Sequence, residues 1–191
     1  MDAYTIPKAV IILSGKRKSG KDYISDLILH RLGTNNCAIL RLSGPLKKQY
    51  AKDHNLDYER LLDASEYKEQ FRQDMICWGE EKRNQDPGFF CRLATENESS
   101  QKEIWIISDA RRQSDVEYFK ENYRKAALTV RVHSNIDVRE QRGFVFTQGI
   151  DDAESECGLD VGVDWDIIIQ NNGDQQELDD GINKLLELVS S

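Results

Sequence analysis

The sequence lacks a long apolar stretch. No run approaches the roughly 20 residues that a membrane-spanning helix requires, and Val10–Leu13 is too short for the apolar region of a secretory signal. A Ser-Lys-Leu-type peroxisomal address is absent as well, because the chain ends in Ser190 and Ser191. These absences predict a cytosolic protein with no signal peptide, no transmembrane segment and no membrane partner.

An excess of positive charge is also missing, since the formal net charge is -8. Duplex binding requires a dominant basic face, so the composition argues against nucleic acid as a partner. The four cysteines (Cys37, Cys77, Cys91 and Cys157) form no CxxC pair and have no His at zinc-ligand spacing. We therefore expect reduced thiols.

What the sequence does contain is an alternation of strand and helix patterns, without repeats or low-complexity linkers. Continuous β-branched runs predict buried parallel strands at Ala9–Leu13, Ala38–Leu42, Ile104–Ser108, Leu128–Val132 and Trp165–Ile169. Helical periodicity lies between and after them, at Asp22–Leu32, Tyr67–Trp78, Val116–Tyr123 and Gln176–Val189. The alternation predicts one three-layer α/β domain, residues 1–191, with a mostly parallel five-stranded sheet and helices on both faces. Ligands of such sheets bind at the carboxyl ends of the strands.

The first predicted strand runs directly into Gly15-Lys16-Arg17-Lys18-Ser19-Gly20-Lys21-Asp22. This is a G-x-x-x-x-G-K sequence in the strand-to-helix context that a P-loop requires. Gly15 and Gly20 are expected to turn the backbone with positive φ, so that successive N–H groups form an anion nest at a helix N-terminus. The Lys21 ammonium can reach the β- and γ-phosphates of a nucleotide.

Asp22 stands where a P-loop usually has the Ser or Thr that ligates Mg²⁺. Its carboxylate can hold the metal directly or through water, or can simply favour the helix N-terminus, and the sequence leaves both readings open. Lys16, Arg17, Lys18 and Lys21 crowd one turn, and such cations repel one another unless anions arrive between them. A triphosphate together with a phosphorylated acceptor would supply those anions.

A second set of cations follows the second predicted strand. Lys47 opens it, and Lys68 and Arg72 lie four residues apart on a helical stripe that continues through Gly79 to Arg83. Glycine on that stripe would let a ligand approach the backbone. The opposite face of the helix is apolar and is expected to pack on the domain. The stripe is either an acceptor site or a solvated face paired with neighbouring glutamates.

The predicted strand Ile104–Ser108 is followed by Asp109, the position of a Walker B carboxylate that can serve Mg²⁺. Arg111 and Arg112 come immediately after it. Two arginines at the carboxyl end of a strand are poorly placed for structural pairing and well placed to clamp phosphate in bidentate fashion. We expect them to bind an anionic substrate.

A lid is predicted over residues 137–156. The segment carries Arg139 and Arg142, then Gly143 as a hinge, and then an acidic return that begins at Asp151. Closure of a mobile lid would exclude water, so that phosphate moves to the acceptor rather than to solvent. An ordinary surface helical hairpin is the alternative.

Together these motifs resemble those of animal-type phosphomevalonate kinases. The matching stretches span nearly the whole chain, at residues 14–22, 40–47, 78–83, 86–92, 108–112 and 151–160. That family also has Asp at the position of Asp22. The resemblance implies a P-loop kinase fold like that of nucleoside monophosphate kinases, with an acceptor-binding region at about residues 44–90. It also implies transfer of the γ-phosphoryl group of ATP to 5-phosphomevalonate.

The resemblance further implies roles for single residues. The loop residues Lys16, Arg17, Lys18, Ser19, Gly20, Lys21 and Asp22 would hold the ATP phosphates, with Lys21 foremost in catalysis. Arg142 and Asn172 would lie at the nucleotide and Asn171 at the acceptor, with Arg131 and Arg139 as helpers. With the cations described above, the expected catalytic group is Lys21, Lys18, Arg17 and Arg111. The expected acceptor-binding set is Lys47, Lys68, Arg72, Arg83, Arg111, Arg112 and Asn171. Asp22 and Asp109 are the candidates for Mg²⁺.

ATP and Mg²⁺ are the expected cofactors, 5-phosphomevalonate is the expected acceptor, and a monomer is the expected assembly. Two other readings stay open. The first is a kinase for a nucleoside monophosphate or another small metabolite, although a nucleotide acceptor would want an aromatic or amide-lined base pocket. The second is a nucleotide-binding switch without transferase activity, although the sequence has no N/T-K-x-D guanine motif.

Overall fold

The structure, a computed structural model, describes residues 6–62, 66–96 and 98–190, without the side chains of Lys68, Glu69 and Glu98. Its strands are β1 (Ala9–Gly15), β2 (Cys37–Leu40), β3 (Ile104–Ile107), β4 (Ala127–His133) and β5 (Ile167–Gln170). Its helices are α1 (Lys21–Leu32), α2 (Ser43–Asp53), α3 (Tyr58–Leu62), α4 (Glu66–Gln85), α5 (Phe89–Thr95), α6 (Gln113–Tyr123), α7 (Ile136–Gln141), α8 (Glu154–Cys157) and α9 (Gln175–Ser190). Short 3-10 helices lie at Glu98–Gln101 and Arg124–Ala126.

The five strands form one sheet in the order β2-β3-β1-β4-β5. Every neighbouring pair is parallel, with Ile11 of β1 opposite Ile106 of β3 on one side and Leu128 of β4 on the other. The predicted sheet is therefore confirmed, and it is entirely rather than mostly parallel across the described strands. Because β1 lies at the centre, the loop that follows it stands at the middle of the ligand-binding edge.

Alternate residues of β1 supply the two cores of the sheet. Ile11 and Leu13 pack in a cluster with residues of α1 and α9, whereas Val10 and Ile12 pack in a second cluster with residues of α5 and α6. A strand that is covered on both faces needs continuous apolar residues, which explains the run that begins at Ala9. The three layers predicted from the sequence are confirmed.

A third, smaller core lies among α2, α3 and α4. Its fully or nearly buried members are Tyr50, Ala51, Leu61 and Met75. The aromatic residues of α4, including Phe71 and Trp78, pack against this cluster, so the predicted apolar face of the helix is confirmed. This core holds together the helices of the segment that is predicted to be the acceptor-binding region.

All four cysteines are free thiols, as expected. Cys37 is buried at the start of β2, and burial raises the pKa of its thiol from 9.0 to about 12. Within the residues that the structure describes, no helix is long and apolar enough to cross a bilayer.

Candidate active site

A cavity of about 320 Å³ opens at the carboxyl ends of β1 and β3, beside the start of α1. Its wall consists of the P-loop, the residues that follow β3, one arginine of β4 and part of the acidic segment near α8. These residues are Ser14, Gly15, Lys16, Arg17, Lys18, Gly20, Lys21, Asp22, Tyr23, Ala110, Arg111, Arg131, Ser155, Glu156 and Leu159. The cavity therefore lies at the edge of the sheet where the topology places ligand sites.

The P-loop makes two left-handed turns, at Lys18 (φ 62°) and at Gly20 (φ 86°). The expectation of positive φ is met at Gly20 but is wrong for Gly15, because the other left-handed position falls on Lys18. Gly15 is required by close packing instead: a Cβ there would lie 2.7 Å from Ser19 Oγ and 2.9 Å from the carbonyl oxygen of Val132. A left-handed conformation at a lysine is strained, and the surrounding contacts hold the loop in this shape.

Lys21 begins α1, and its ammonium donates a hydrogen bond to the backbone carbonyl of Ser108 at the end of β3. It also lies 3.3 Å from Oδ1 of Asp22. The Lys21 side chain is only 16% exposed, whereas that of Asp22 is 70% exposed. The lysine thus spans the gap between two strand ends, and the Asp22 carboxylate beside it is largely exposed in the wall of the cavity.

Asp109 is engaged differently from the metal ligand that the sequence suggests. Its two carboxylate oxygens accept hydrogen bonds from the backbone N–H groups of Leu42 (2.7 Å) and Ser43 (3.0 Å). These N–H groups lie at the start of α2, where an α-helix leaves donors without partners. Asp109 is 9% exposed and does not line the cavity. It fixes the position of α2 relative to β3.

Arg111 and Arg112 point to different neighbours, and both have structural partners, so the expectation that they lack them is wrong. Arg111 lines the cavity, with Nη1 3.6 Å from Glu156 Oε1. Arg112 pairs with Oε1 of Glu80 on α4, and the same oxygen lies 3.6 Å from Nη1 of Arg83. One carboxylate on α4 is therefore shared by two arginines.

The two guanidinium groups beside Glu80 are poorly hydrated. The side chains of Arg83 and Arg112 are 13% and 14% exposed, and the Nε atom of each is buried without a hydrogen-bond partner. Burial and the neighbouring positive charge of Arg112 lower the pKa of Arg83. Buried arginines with unused N–H donors are suited to a further anion.

The other residues of the predicted cationic stripe do not form part of the cavity wall in the part of the chain that the structure describes. Gly79 is buried, and a Cβ there would lie only 3.1 Å from Leu46 Cδ1. The glycine therefore serves the close packing of α2 on α4 rather than the approach of a ligand. Lys47 and Arg72 do not line the cavity, and the Lys68 side chain lies outside the described residues. A role for these three cations in acceptor binding stays a prediction.

The predicted lid consists of α7, a turn-rich segment with Gly143 at φ 82°, and α8. The acidic return, taken here as residues 151–160 and so extending four residues beyond the predicted end of the lid, contacts the P-loop. Arg17 Nη1 lies 3.2 Å from Asp151 Oδ2, and Lys16 Nζ lies 2.5 Å from Asp160 Oδ2. Sequence reasoning missed these ion pairs, although the crowding of cations in the loop indicated that anions were needed.

Arg142 contacts the backbone of the P-loop and does not line the cavity. Its guanidinium donates to the carbonyl oxygens of Ser19 (3.2 Å) and Asn171 (2.9 Å) and to Ser134 Oγ (3.0 Å). The Asn171 side chain also supports the loop, donating from Nδ2 to the Ser19 carbonyl at 2.8 Å. Asn172 accepts from the backbone N–H of Asn135. Arg142 and Asn171 thus hold the loop through the Ser19 carbonyl without lining the cavity themselves.

Two further arginines connect β4 and α7 to the P-loop. Arg131 lines the cavity and donates to Ser14 Oγ (3.1 Å) and Asp160 Oδ1 (2.8 Å). Arg139 donates from Nε to the carbonyl oxygen of Arg17 at 2.8 Å, and its guanidinium lies 4.0 Å from the centre of the Phe144 ring. Burial lowers the pKa of Arg139. Arg139 thus contacts the loop itself and Arg131 contacts the residue before it, and the helper roles that the resemblance implies stay a prediction.

Known proteins resemble this chain in sequence and in fold. Residues 13–125 match the family model described as phosphomevalonate kinase. A curated phosphomevalonate kinase from Drosophila melanogaster is 42% identical over 182 residues, which cover 92% of this chain and 96% of the relative. The crystal structure of TT1252 from Thermus thermophilus covers 95% of this chain and 97% of its own, with a TM-score of 0.50 and 14% identity, and supports the fold alone. The TM-score with shikimate kinase from Aquifex aeolicus is 0.43 at 14% identity over 95% of this chain and 96% of that one, too distant to add to the argument.

Proposed function

The chain belongs to the phosphomevalonate kinase family, and from that premise we propose that it transfers the γ-phosphoryl group of ATP to 5-phosphomevalonate. The products are 5-diphosphomevalonate and ADP, and the reaction belongs to the mevalonate route to isoprenoids and sterols. The observation that carries the proposal is the cavity in which a P-loop faces Arg111 across the ends of β1 and β3. A donor phosphate and a phosphorylated acceptor both need such a concentration of positive charge.

The P-loop is proposed to hold the ATP phosphates through its backbone N–H groups and the side chains of Lys16, Arg17, Lys18 and Lys21. The backbone N–H of Arg17 already donates to an anion, the carboxylate of Glu156, which supports the loop's ability to bind phosphate oxygens. Arg142 and Asn171 act on this site through the loop carbonyl of Ser19. They are positioning residues in this arrangement.

The acceptor is proposed to lie between Arg111 and α4. Arg111 lines the cavity, and the adjacent Arg112 meets Arg83 at Glu80. A path of guanidinium groups therefore leads from the P-loop toward α4, and it suits an acceptor that carries both a phosphate and a carboxylate. Because the attacking oxygen of a phosphate is already anionic, no general base is required, and positioning with charge neutralisation supplies the rate.

Asp22 is the better candidate for Mg²⁺, which binds proteins through one or two carboxylates together with substrate phosphates and water. Its carboxylate is exposed and lines the cavity, whereas both oxygens of Asp109 are used by the start of α2. When bound, Mg²⁺ would be held by Asp22 and would neutralise phosphate charge during transfer. Activity as a monomer in the cytosol completes the proposal.

The proposal is tested by ADP release in a coupled assay with Mg²⁺-ATP and one acceptor at a time. We expect kcat/KM for 5-phosphomevalonate to exceed that for UMP, CMP or AMP by at least ~100-fold, because the acceptor region is cationic, whereas a nucleotide acceptor would want an aromatic or amide-lined base pocket. Faster turnover of a nucleotide would favour the monophosphate kinase reading. Nucleotide binding without acceptor-dependent ADP release would favour a binding switch.

A further inference from the structure

Cationic side chains of the P-loop already form ion pairs with carboxylates of this chain. Besides the pairs that Arg17 and Lys16 form with Asp151 and Asp160, the Glu156 carboxylate stands in the wall of the cavity itself. The three acids lie within the ten-residue acidic return. The protein thus supplies its own anions at the place where nucleotide phosphates are proposed to bind.

Glu156 differs from the other two acids in the donors that it uses. Its Oε2 accepts a hydrogen bond from the backbone N–H of Arg17 at 3.2 Å, and its Oε1 lies 3.6 Å from Arg111 Nη1. The Glu156 side chain is 10% exposed, although that of Arg111 is 49% exposed. Its carbonyl oxygen is also held, by Lys16 Nζ at 2.8 Å. A loop N–H group and an arginine are the two kinds of donor that a phosphate oxygen would use here.

A phosphate and the Glu156 carboxylate cannot use these donors together. The backbone N–H of Arg17 has one hydrogen to give, and two anions side by side in a poorly hydrated site repel each other. Asp151 and Asp160, in contrast, contact the P-loop only through the long side chains of Arg17 and Lys16. These side chains can turn toward a phosphate without loss of a backbone donor of the loop, and Asp151 keeps its other partner, the backbone N–H of Thr147. Filling the loop therefore requires Glu156 in particular to move.

We propose that the Glu156 carboxylate occupies the place of a phosphate group in the P-loop of the free protein. A nucleotide that binds there must displace it. The inference rests on the proposed function, because it requires the loop to bind nucleotide phosphates. The displaced carboxylate takes α8 away from the loop, so binding of the phosphates releases the acidic return from its position over the cavity. In this way the occupancy of the loop controls the position of the lid.

The test measures the dissociation constant of tripolyphosphate by calorimetry, without acceptor, for the wild type and for Glu156→Gln. Glutamine keeps the size of the side chain and an acceptor oxygen but removes the charge. We expect it to bind tripolyphosphate ~10-fold more tightly. Glu154→Gln is the matched control, since Glu154 is an exposed acid on the same short helix, and it should change the constant less than ~2-fold.

A second measurement uses the wild type and does not depend on the folding of a variant. The ¹³C signal of the Glu156 carboxylate, assigned by its loss in Glu156→Gln, should move on addition of tripolyphosphate toward that of the exposed Glu154. Unchanged or weaker binding by Glu156→Gln, or a Glu156 signal that does not move when the ligand is bound, would overturn the inference and leave the proposed function standing. Failure of the wild type to bind either tripolyphosphate or Mg²⁺-ATP would overturn both.

Discussion

Asn171 packs against Gly20 so closely that a Cβ added to the glycine would lie 2.3 Å from Asn171 Nδ2. The same glycine has a φ of 86°, so packing and backbone conformation both require it. The two requirements come from different parts of the chain, since Gly20 immediately precedes α1 and Asn171 follows β5. The P-loop is thereby shaped by a residue about 150 positions away.

Gly20→Ala is expected to lower the free energy of unfolding by about 3 kcal/mol, through left-handed strain and the contact with Asn171 together, and to weaken nucleotide binding. Gly149→Ala is the matched control, because Gly149 has a φ of 79° but no atom within 4 Å of an added Cβ. Its cost should be about 1 kcal/mol. Urea denaturation measures both values, and equal losses would contradict the role of the Asn171 contact.

Lys21→Met should reduce kcat/KM for ATP-dependent turnover by about 10²–10³-fold, because it removes the ammonium that neutralises charge at the transferring phosphate. The fold should persist, since the apolar part of the side chain is kept. Steady-state ADP release together with a thermal melt checks this, with the exposed Lys120→Met on α6 as the control. Full activity of Lys21→Met would refute the catalytic role.

Asp22→Asn and Asp109→Asn are expected to separate metal binding from structure. Asp22→Asn should raise the Mg²⁺ concentration for half-maximal activity by about 10-fold, because it removes the exposed carboxylate in the cavity. Asp109→Asn should leave that concentration unchanged and lower stability by about 1–2 kcal/mol, because only one of the two N–H groups at the start of α2 keeps its acceptor. Titration of activity with Mg²⁺ distinguishes the two roles. A raised Mg²⁺ requirement in Asp109→Asn but not in Asp22→Asn would indicate that Asp109 is the metal ligand.

Glu80→Gln should destabilise the protein by about 1–3 kcal/mol, because Arg83 and Arg112 lose the carboxylate that they share. Inorganic phosphate should then raise the melting temperature of Glu80→Gln more than that of the wild type, since an anion can take the vacant place between the two arginines. The exposed neighbour Glu81→Gln should behave like the wild type in both respects. Equal stabilisation of all three proteins by phosphate would argue against an anion site at these arginines.

Alkaline pH should destabilise the protein through Cys37. Its folded pKa of about 12 lies above the ordinary 9.0, so between these values the native state holds more protons than the unfolded state. The free energy of unfolding should therefore fall as pH rises from 9 toward 12, by about 1.4 kcal/mol per pH unit from this group. Denaturation at pH 8 and pH 10 under reducing conditions should show a shallower slope for Cys37→Ala than for Cys77→Ala, at an exposed thiol. The part of the slope that comes from other groups with raised pKa values, such as Cys91 and Tyr118, should remain in both variants.

The sequence predicts the sheet well because a strand covered on both faces carries a continuous apolar run, which is a local signal. All five strands were located this way, with ends displaced by one or two residues where the next hydrogen bond decides the boundary. The P-loop was found because its glycines, lysine and flanking elements are consecutive. Local patterns of this kind also identified the apolar face of α4.

The pairing of charges could not be predicted in the same way. Arg17 and Asp151 are 134 residues apart in sequence, and Arg112 and Glu80 are 32 apart, so no periodicity connects them. Asp109 presented the same difficulty, because a carboxylate at a strand end suits a metal ion and a helix N-terminus equally well until its neighbours are known. Gly15 and Gly79 are both required by close packing. The sequence instead suggested a positive φ at Gly15 and the approach of a ligand at Gly79.

The small core beneath the acceptor helices has a consequence for how such a protein can diversify. Among the residues that the structure describes, Tyr50, Leu61 and Met75 belong to a cluster that shares no buried residue with either core of the sheet. Mutations within this cluster are therefore expected to disturb the strand that carries the P-loop less than mutations at Asp109 or Glu80, which tie α2 and α4 to the residues after β3. Adaptation to a different acceptor would need to rebuild only that module, and the machinery for handling the nucleotide would be inherited intact.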